Sequence, residues 1–271
     1  MAGRFDGKTV VVTGASSGVG EAAAKLFAEE GARVVLAART TAALDAVAKE
    51  IGDTAVVVPT DVSDPEQARA LVQRAVETTG GIHVLVNNAG YNHRGAVADA
   101  NPDELARIVD VNLRAPVLLT RLVLPQLLEQ DSGAIVNVAS IAGQIPLPYE
   151  ATYSATKFGL RGFSLALAEE LRGSGVSVSL VSPGPIDTGF LTSDIDSVPD
   201  LVFSQPMSSA EDVAKAVLDC AHDGQMERTI PRLSGALATA GYLVPELPRL
   251  LRPLLEFQGR RAKDRFRQDR D

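Results

Sequence analysis

"KTVVVTGASSGVGEAAAKLFAEEG", residues 8–31, carries three signals in a row. The run KTVVVTG is short, apolar and β-branched, as expected of a strand covered on both faces. GEAAAKLFAEEG reads as a helix that stops at Gly31. Between them, Gly14, Gly18 and Gly20 fall where strand becomes helix. Glycine permits a tight turn and lets backbone approach an anion without a Cβ clash. The helix N-terminus adds free N–H groups and a partial positive charge. The spacing is G-x3-G-x-G rather than G-x-G-x-x-G, so the stretch alone also fits a plain βα turn.

The same alternation repeats outward from this turn. ARVVLAA, TAVVVPTD, HVLVNNAG, GAIVNVAS and VSVSLVSPG read as further strands, six in all. Helical stretches separate them: TAALDAVAKEI, about 64–79, about 102–130 with Pro116 and Pro125 as expected kinks, and 149–173. Unalternating strands between helices imply an α/β fold: one doubly wound, Rossmann-type parallel sheet with helices on both faces. Set on the first strand of such a unit, the glycine turn becomes a dinucleotide cradle, to which Ser16 and Ser17 add hydroxyl donors.

The end of the second strand bears on cofactor choice. A carboxylate there would take the adenosine ribose hydroxyls and favour NAD(H). Ala38, Arg39 and Thr40 stand there instead. Arg39 can grip a 2′-phosphate with its planar fork, so NADP(H) is favoured over NAD(H). The competing reading is a solvated arginine at a helix start.

Composition limits the other classes. The 271 residues carry 45% hydrophobic and 22% charged side chains, ordinary globular usage. A net charge of −8 and pI near 5 argue against nucleic-acid binding. A single cysteine, Cys220, excludes an internal disulfide and fits a reducing, cytoplasmic setting. The first residues lack a signal-peptide core, and no apolar run is long enough to span a bilayer. No His, Cys and carboxylate set has metal-ligand spacing, so no metal is expected. His93, in the YNHRG loop, is a candidate for the rim of the substrate pocket.

YSATK, residues 153–157, sets Tyr153 one helical turn ahead of Lys157, on one face. A free phenol holds its proton to roughly pH 10 and is a poor acid or base at neutrality. Either the pair is a surface accident or Lys157 makes Tyr153 titrate lower. A drop to about 7 needs roughly 4 kcal/mol of preference for the ionised form.

With these motifs in order, the chain resembles the single-domain branch of the short-chain dehydrogenase/reductase family. The resemblance rests on TGASSGVG (13–20), DV (61–62), NNAG (87–90), Asn112, Ser140, YSATK (153–157) and PGP (183–185), across residues 6–231. It implies a reversible exchange of hydride between a nicotinamide cofactor and a carbonyl or secondary alcohol. It also implies that Tyr153 is the general acid/base, that Lys157 holds the nicotinamide ribose, and that Lys157 and the cationic ring lower the phenol together. Ser140 would steady the substrate oxygen, and Asn112 would hold a water that links the lysine to solvent. Gly14, Ser16, Ser17, Gly18, Val19 and Gly20 would cradle the phosphates. Asp61 and Val62 would flank the adenine. Asn88, Ala89 and Gly90 would line the cleft, and Pro183, Gly184, Ile186 and Thr188 would touch the nicotinamide side. A homo-oligomer, dimer or tetramer, is implied by analogy.

The substrate, expected to be a small carbonyl or alcohol, is less determined. Residues 188–208 stand where the family carries a lid. The stretch 190–207 offers Phe190, Leu191, Ile195, Val198, Leu201, Val202, Phe203 and Met207, and 145–149 offers Ile145, Leu147 and Tyr149. These suggest an apolar compound, or else packing against core or subunit. A helix is expected after them, opened by a capping box of Ser208 and Glu211, with Val213, Val217 and Cys220 on its inner face. Residues 1–233 form the expected catalytic domain and 234–271 an amphipathic, basic extension. From Arg232 onward nine Lys and Arg stand against five Asp and Glu. Docking on the protein itself or on a neighbouring subunit is the plainer role for this tail; peripheral membrane contact is the other. The alternative function is a non-catalytic NADP(H)-binding sensor or scaffold on the same fold. An epimerase or dehydratase relative would need a larger substrate domain.

Overall fold

The computed structural model describes residues 3–189, 195–243 and 246–268. Seven parallel strands form one sheet in the order β3-β2-β1-β4-β5-β6-β7. They are β1 (Thr9–Thr13), β2 (Arg33–Ala38), β3 (Ala55–Pro59), β4 (Val84–Asn87), β5 (Gly133–Val138), β6 (Val176–Pro183) and β7 (Glu227–Ile230). The order reverses between β1 and β4, and it is outside the carboxyl ends of strands at such a switch point that open α/β sheets bind ligands.

The six expected strands are present, and β7 adds an edge that the sequence reading missed. ERTI is short and polar, and none of its four residues is fully buried. Strands β1 and β4, by contrast, are buried along their whole length, which is why they read as unbroken apolar runs.

Helices cover both faces. Among the described residues they are α1 (Gly18–Glu29), α2 (Thr41–Ile51), α3 (Pro65–Thr79), α4 (Pro102–Val109), α5 (Ala115–Glu129), α6 (Ala151–Glu170), α7 (Ala210–Asp223), α8 (Arg232–Leu243) and α9 (Glu246–Gln268). One core packs α1, α2 and α7 on the sheet through Phe27, Leu44 and Val213. The other packs α3, α5 and α6 through Leu71, Leu119 and Leu167. Loss of the wholly buried Phe27 ring would cost about 3–5 kcal/mol.

Two local expectations need correction. The helix about 102–130 is interrupted, but by a π turn over Asp110–Arg114, with Pro116 in the first turn of α5 and Pro125 inside it. The capping box of α7 uses Ser209 and Asp212, one residue later than expected. Ser208 is held back because its N–H donates to Pro185 O and it bridges Ile186. Val213, Val217 and Cys220 are buried together, and burial pushes the Cys220 thiol up to about 11. No described helix is long and apolar enough to cross a membrane.

Candidate active site

A cavity of about 1010 Å³ opens at the carboxyl edge of the sheet, and Gly14 and Tyr153 both line it. Its cofactor-like end is the β1–α1 turn. Gly14 has φ +68°, and an added Cβ would sit 2.8 Å from Asn88 Nδ2. Ser16, Ser17, Gly18 and Val19 line the cavity beside it. The Ser17 side chain makes no capping bond with α1. Gly20 does not line the cavity. It works from behind, since a Cβ there would lie 2.1 Å from Gly14 O, so only glycine lets α1 pack this close.

Thr13 holds this turn against the NNAG segment. Its Oγ1 donates to Val86 O at 3.2 Å and accepts from the N–H groups of Asn88 and Ala89, both at 3.0 Å. Asn88 Nδ2 in turn donates to Thr13 O and Gly14 O. Asn88, Ala89 and Gly90 therefore line the cavity as one clamped unit.

At the second-strand end, Ala38 is buried and Arg39 is exposed; both line the cavity. Asp61 and Val62 follow on the same wall. The Asp61 carboxylate is taken by the N–H and hydroxyl of Ser63 and by Arg107 at 2.9 Å. Although burial opposes it, these partners hold its pKa below the usual carboxylate value.

The opposite end gathers Ser140, Tyr153 and Lys157. Ser140 follows β5, and its Oγ accepts from Ala142 N at 3.1 Å. Tyr153 lies in the first turn of α6 and hydrogen-bonds Ser140. Lys157 is 4% exposed; its Nζ donates to Val138 O at 3.0 Å and lies 5.5 Å from the centre of the Tyr153 ring. Burial pushes Tyr153 up to about 12, against the smaller lowering influence of the Ser140 bond. Burial likewise pushes Lys157 down to about 8. By themselves, the side chains at this end hold the phenol protonated. Pro183, Gly184, Ile186 and Thr188 complete the wall from the end of β6.

Asn112 stands at the break of the long helix, where the sequence placed it. It is wholly buried in the π turn and does not line the cavity. Its Oδ1 accepts from Tyr91 N at 3.0 Å, while Nδ2 donates to Tyr91 O at 2.9 Å and to Thr156 Oγ1 at 3.3 Å. The side-chain amide is thus a clamp between the post-β4 loop and α6.

Arg94 and Glu150 were not foreseen, and both line the cavity near Tyr153. Arg94 Nε donates to Glu150 Oε1 at 3.3 Å, with the two side chains 12% and 5% exposed. Asn92 Nδ2 donates to Glu150 Oε2 at 2.7 Å, and Gly95 N donates to Tyr149 O at 2.9 Å. His93 instead faces Glu104 at 3.2 Å and does not line the cavity. Tyr149 has φ +65°, is 59% exposed and does not line the cavity; Ile145 and Leu147 do. Leu201 and Val202 line the far wall, whereas Val198 and Phe203 are buried against α9. Phe190 and Leu191 lie outside the described residues.

The short chain dehydrogenase model matches residues 8–197. The chain belongs to the short-chain dehydrogenase family. Among the family's relatives, the ketoacyl reductase HetN of Nostoc sp. is 42% identical over 217 residues, 78% of this chain and 75% of that one. An uncharacterized oxidoreductase of Staphylococcus aureus is 38% identical, covering 82% of this chain and 96% of its own. Among solved structures of similar fold is the 3-ketoacyl-(acyl-carrier-protein) reductase of Brucella melitensis complexed with NADH. It is 33% identical with TM-score 0.77, covering 83% of this chain and 97% of its own. A metagenomic short-chain oxidoreductase in complex with NADP is 34% identical with TM-score 0.72, over 83% and 97%.

Proposed function

We propose that the protein is an NADP(H)-dependent oxidoreductase that interconverts a carbonyl and a secondary alcohol on an apolar substrate. The observation that carries this is one continuous cavity with the Gly14–Gly18 turn at one end and hydrogen-bonded Tyr153 and Ser140, with Lys157 beside them, at the other. The cradle fits a dinucleotide, because Ser16, Ser17, Gly18 and Val19 bring the N-terminus of α1 to the cavity and the Ser17 side chain is not used to cap it. Gly14, Ser16, Ser17, Gly18 and Val19 would hold its phosphates, Arg39 a 2′-phosphate, and Asp61, Val62 and Ala89 the adenosine side. Lys157, Pro183, Gly184, Ile186 and Thr188 would hold the nicotinamide side.

When bound, the cofactor supplies or accepts the hydride. In the reducing direction Tyr153, held protonated by its burial, gives its proton to the oxygen of the developing alkoxide. Ser140 positions that oxygen by hydrogen bonding. In the oxidising direction Tyr153 must lose its proton first, and Lys157 together with any positive charge beside it favours that form. Asn112 supports Tyr153 and Lys157 through the Thr156 contact. By the same resemblance the protein works as a homo-oligomer.

The test is a panel of carbonyl and alcohol substrates with NADPH and NADH, followed by nicotinamide absorbance, on the wild type and Tyr153→Phe. The expected result is turnover that the variant loses while retaining cofactor binding. A variant with near-wild-type turnover would sink the assignment of Tyr153.

A further inference from the structure

The basic tail folds back on its own chain. Helix α9 lies across residues 195–205, the segment that borders the substrate half of the cavity. Contact is close enough that a Cβ on Gly259 would lie 1.8 Å from Asp200 O. Lys263 is 6% exposed, and its Nζ donates to Val198 O at 2.6 Å and Asp196 O at 3.3 Å. Asp200 Oδ1 is 3.7 Å from the same amine, and the Phe203 ring centre 5.8 Å. Arg260 adds an ion pair to Asp200 at 3.2 Å, and Arg267 one to Asp196. Below these, Val198 and Phe203 pack on Ala262 and Phe266.

The opposite side of the same segment faces the cavity. Leu201, Val202 and Gln205 line it, and the tail itself contributes Ala238, Tyr242 and Leu255. Arg260, Lys263 and Arg267 are therefore turned toward carbonyls and carboxylates of their own chain. A buried ammonium that donates to two carbonyls fixes a loop because letting go leaves buried polar groups unpaired.

We propose that α9 is a latch on the 195–205 segment, with Lys263 as its positioning residue. We further propose that Leu255 and Tyr242 form the end wall that limits an alkyl chain carried by the substrate. The catalytic end of the cavity is polar at Ser140, Tyr153, Arg94 and Glu150, while this far wall is mostly apolar. A carbonyl compound with an extended apolar chain matches both ends. The wall assignment rests on the proposed oxidoreductase reading; the latch does not.

The test uses the full chain and two readouts. Hydrogen exchange followed by mass spectrometry on peptides covering 195–205 should quicken in Lys263→Met by tenfold or more, with β1 and β5 peptides unchanged. Gly259→Ala, which wedges the helix away without removing a side chain, should do the same and serves if Lys263→Met fails to fold. In activity assays Lys263→Met should raise KM for long-chain alkyl carbonyls about tenfold, with short-chain kcat/KM and NADPH affinity within twofold. Leu255→Trp should abolish the long-chain preference and spare short substrates. Unchanged exchange over 195–205 in both latch variants would overturn the latch. Unchanged long-chain kinetics in Leu255→Trp would overturn the wall. A wild type that turns over nothing would defeat the oxidoreductase reading, and the wall with it, while the exchange experiment still decides the latch.

Discussion

Lys157 and Tyr153 share one dry corner, the amine 5.5 Å from the ring centre, and burial biases each toward its neutral form. For Lys157 the folded pKa of about 8 lies below the ordinary 10.5. The unfolded chain therefore holds this proton more tightly, and folding at pH 7 carries a penalty of about 3 kcal/mol. That penalty is relieved as pH rises from about 8 toward 10.5. Tyr153 titrates higher and acts with the opposite sign only above about pH 10. The expectation is that Lys157→Met loses turnover yet gains on the wild type in stability at pH 7. That advantage should shrink as pH approaches 10, as read by urea unfolding. A stability difference that stays constant from pH 7 to 10 would refute the buried, proton-losing lysine.

The glycine turn yields a pair of contrasting substitutions. A Cβ on Gly20 meets Gly14 O at 2.1 Å and Asn88 Nδ2 at 2.5 Å, so Gly20→Ala must push α1 off the turn. The expected cost is about 1–3 kcal/mol of stability, with cofactor affinity falling more than tenfold although residue 20 does not touch the cavity. Gly162, exposed in α6, has nothing within 4 Å of a built Cβ. Gly162→Ala should therefore stabilise by up to about 1 kcal/mol through helix propensity alone. Thermal melts and cofactor titration of both variants check this; Gly20→Ala with wild-type affinity would contradict the packing role.

What the sequence made legible was whatever local chemistry decides. The apolar runs of β1 and β4 and the glycines between β1 and α1 fix strand and turn locally, and the Tyr153–Lys157 spacing puts both side chains on one helix face. Strand β7 escaped because an edge strand with polar side chains has no apolar pattern to show. Asn112 is legible as a helix-breaking residue, but its two bonds to Tyr91, across 21 residues, have no signature in sequence. Arg94 with Glu150, and Lys263 with Val198, are pairings across 56 and 65 residues that only the assembled fold creates. His93 was noticed for its titratable ring, but its neighbour Arg94 faces the cavity.

That Arg94–Glu150 pair makes a further prediction. Glu150 is buried, and desolvation raises its pKa while Arg94 opposes the rise. Arg94→Met leaves the carboxylate with Asn92 as its remaining named donor, and breaking a buried pair costs about 3–5 kcal/mol at neutral pH. A carboxyl whose folded pKa is raised contributes stability below its unfolded pKa and loses it as pH climbs through the folded one. The deficit of Arg94→Met relative to wild type should therefore shrink as pH falls from 7 toward 5. Arg94 also lowers the Tyr153 phenol, so the acidic limb of the alcohol-oxidation pH profile, where Tyr153 loses its proton, should move upward in the variant. A deficit that grows on acidification would show that Glu150 does not need its cation.

The proposed preference for NADP(H) rests on Arg39, which is exposed at the cavity wall beside the buried Ala38. Asp61, the nearby carboxylate on that wall, is already committed to Ser63 and Arg107, so it is a poor acceptor for ribose hydroxyls. In the proposed reading, Arg39 is the group that distinguishes a 2′-phosphate from a 2′-hydroxyl. Arg39→Glu replaces attraction with repulsion at the phosphate and supplies the acceptor that NAD(H) wants. NADPH affinity should fall by tenfold or more and NADH affinity should rise, with kcat on saturating cofactor within a fewfold. Fluorescence titration of both nucleotides with wild type and variant decides it. A wild type that already binds NADH more tightly than NADPH would remove Arg39 from the account of specificity.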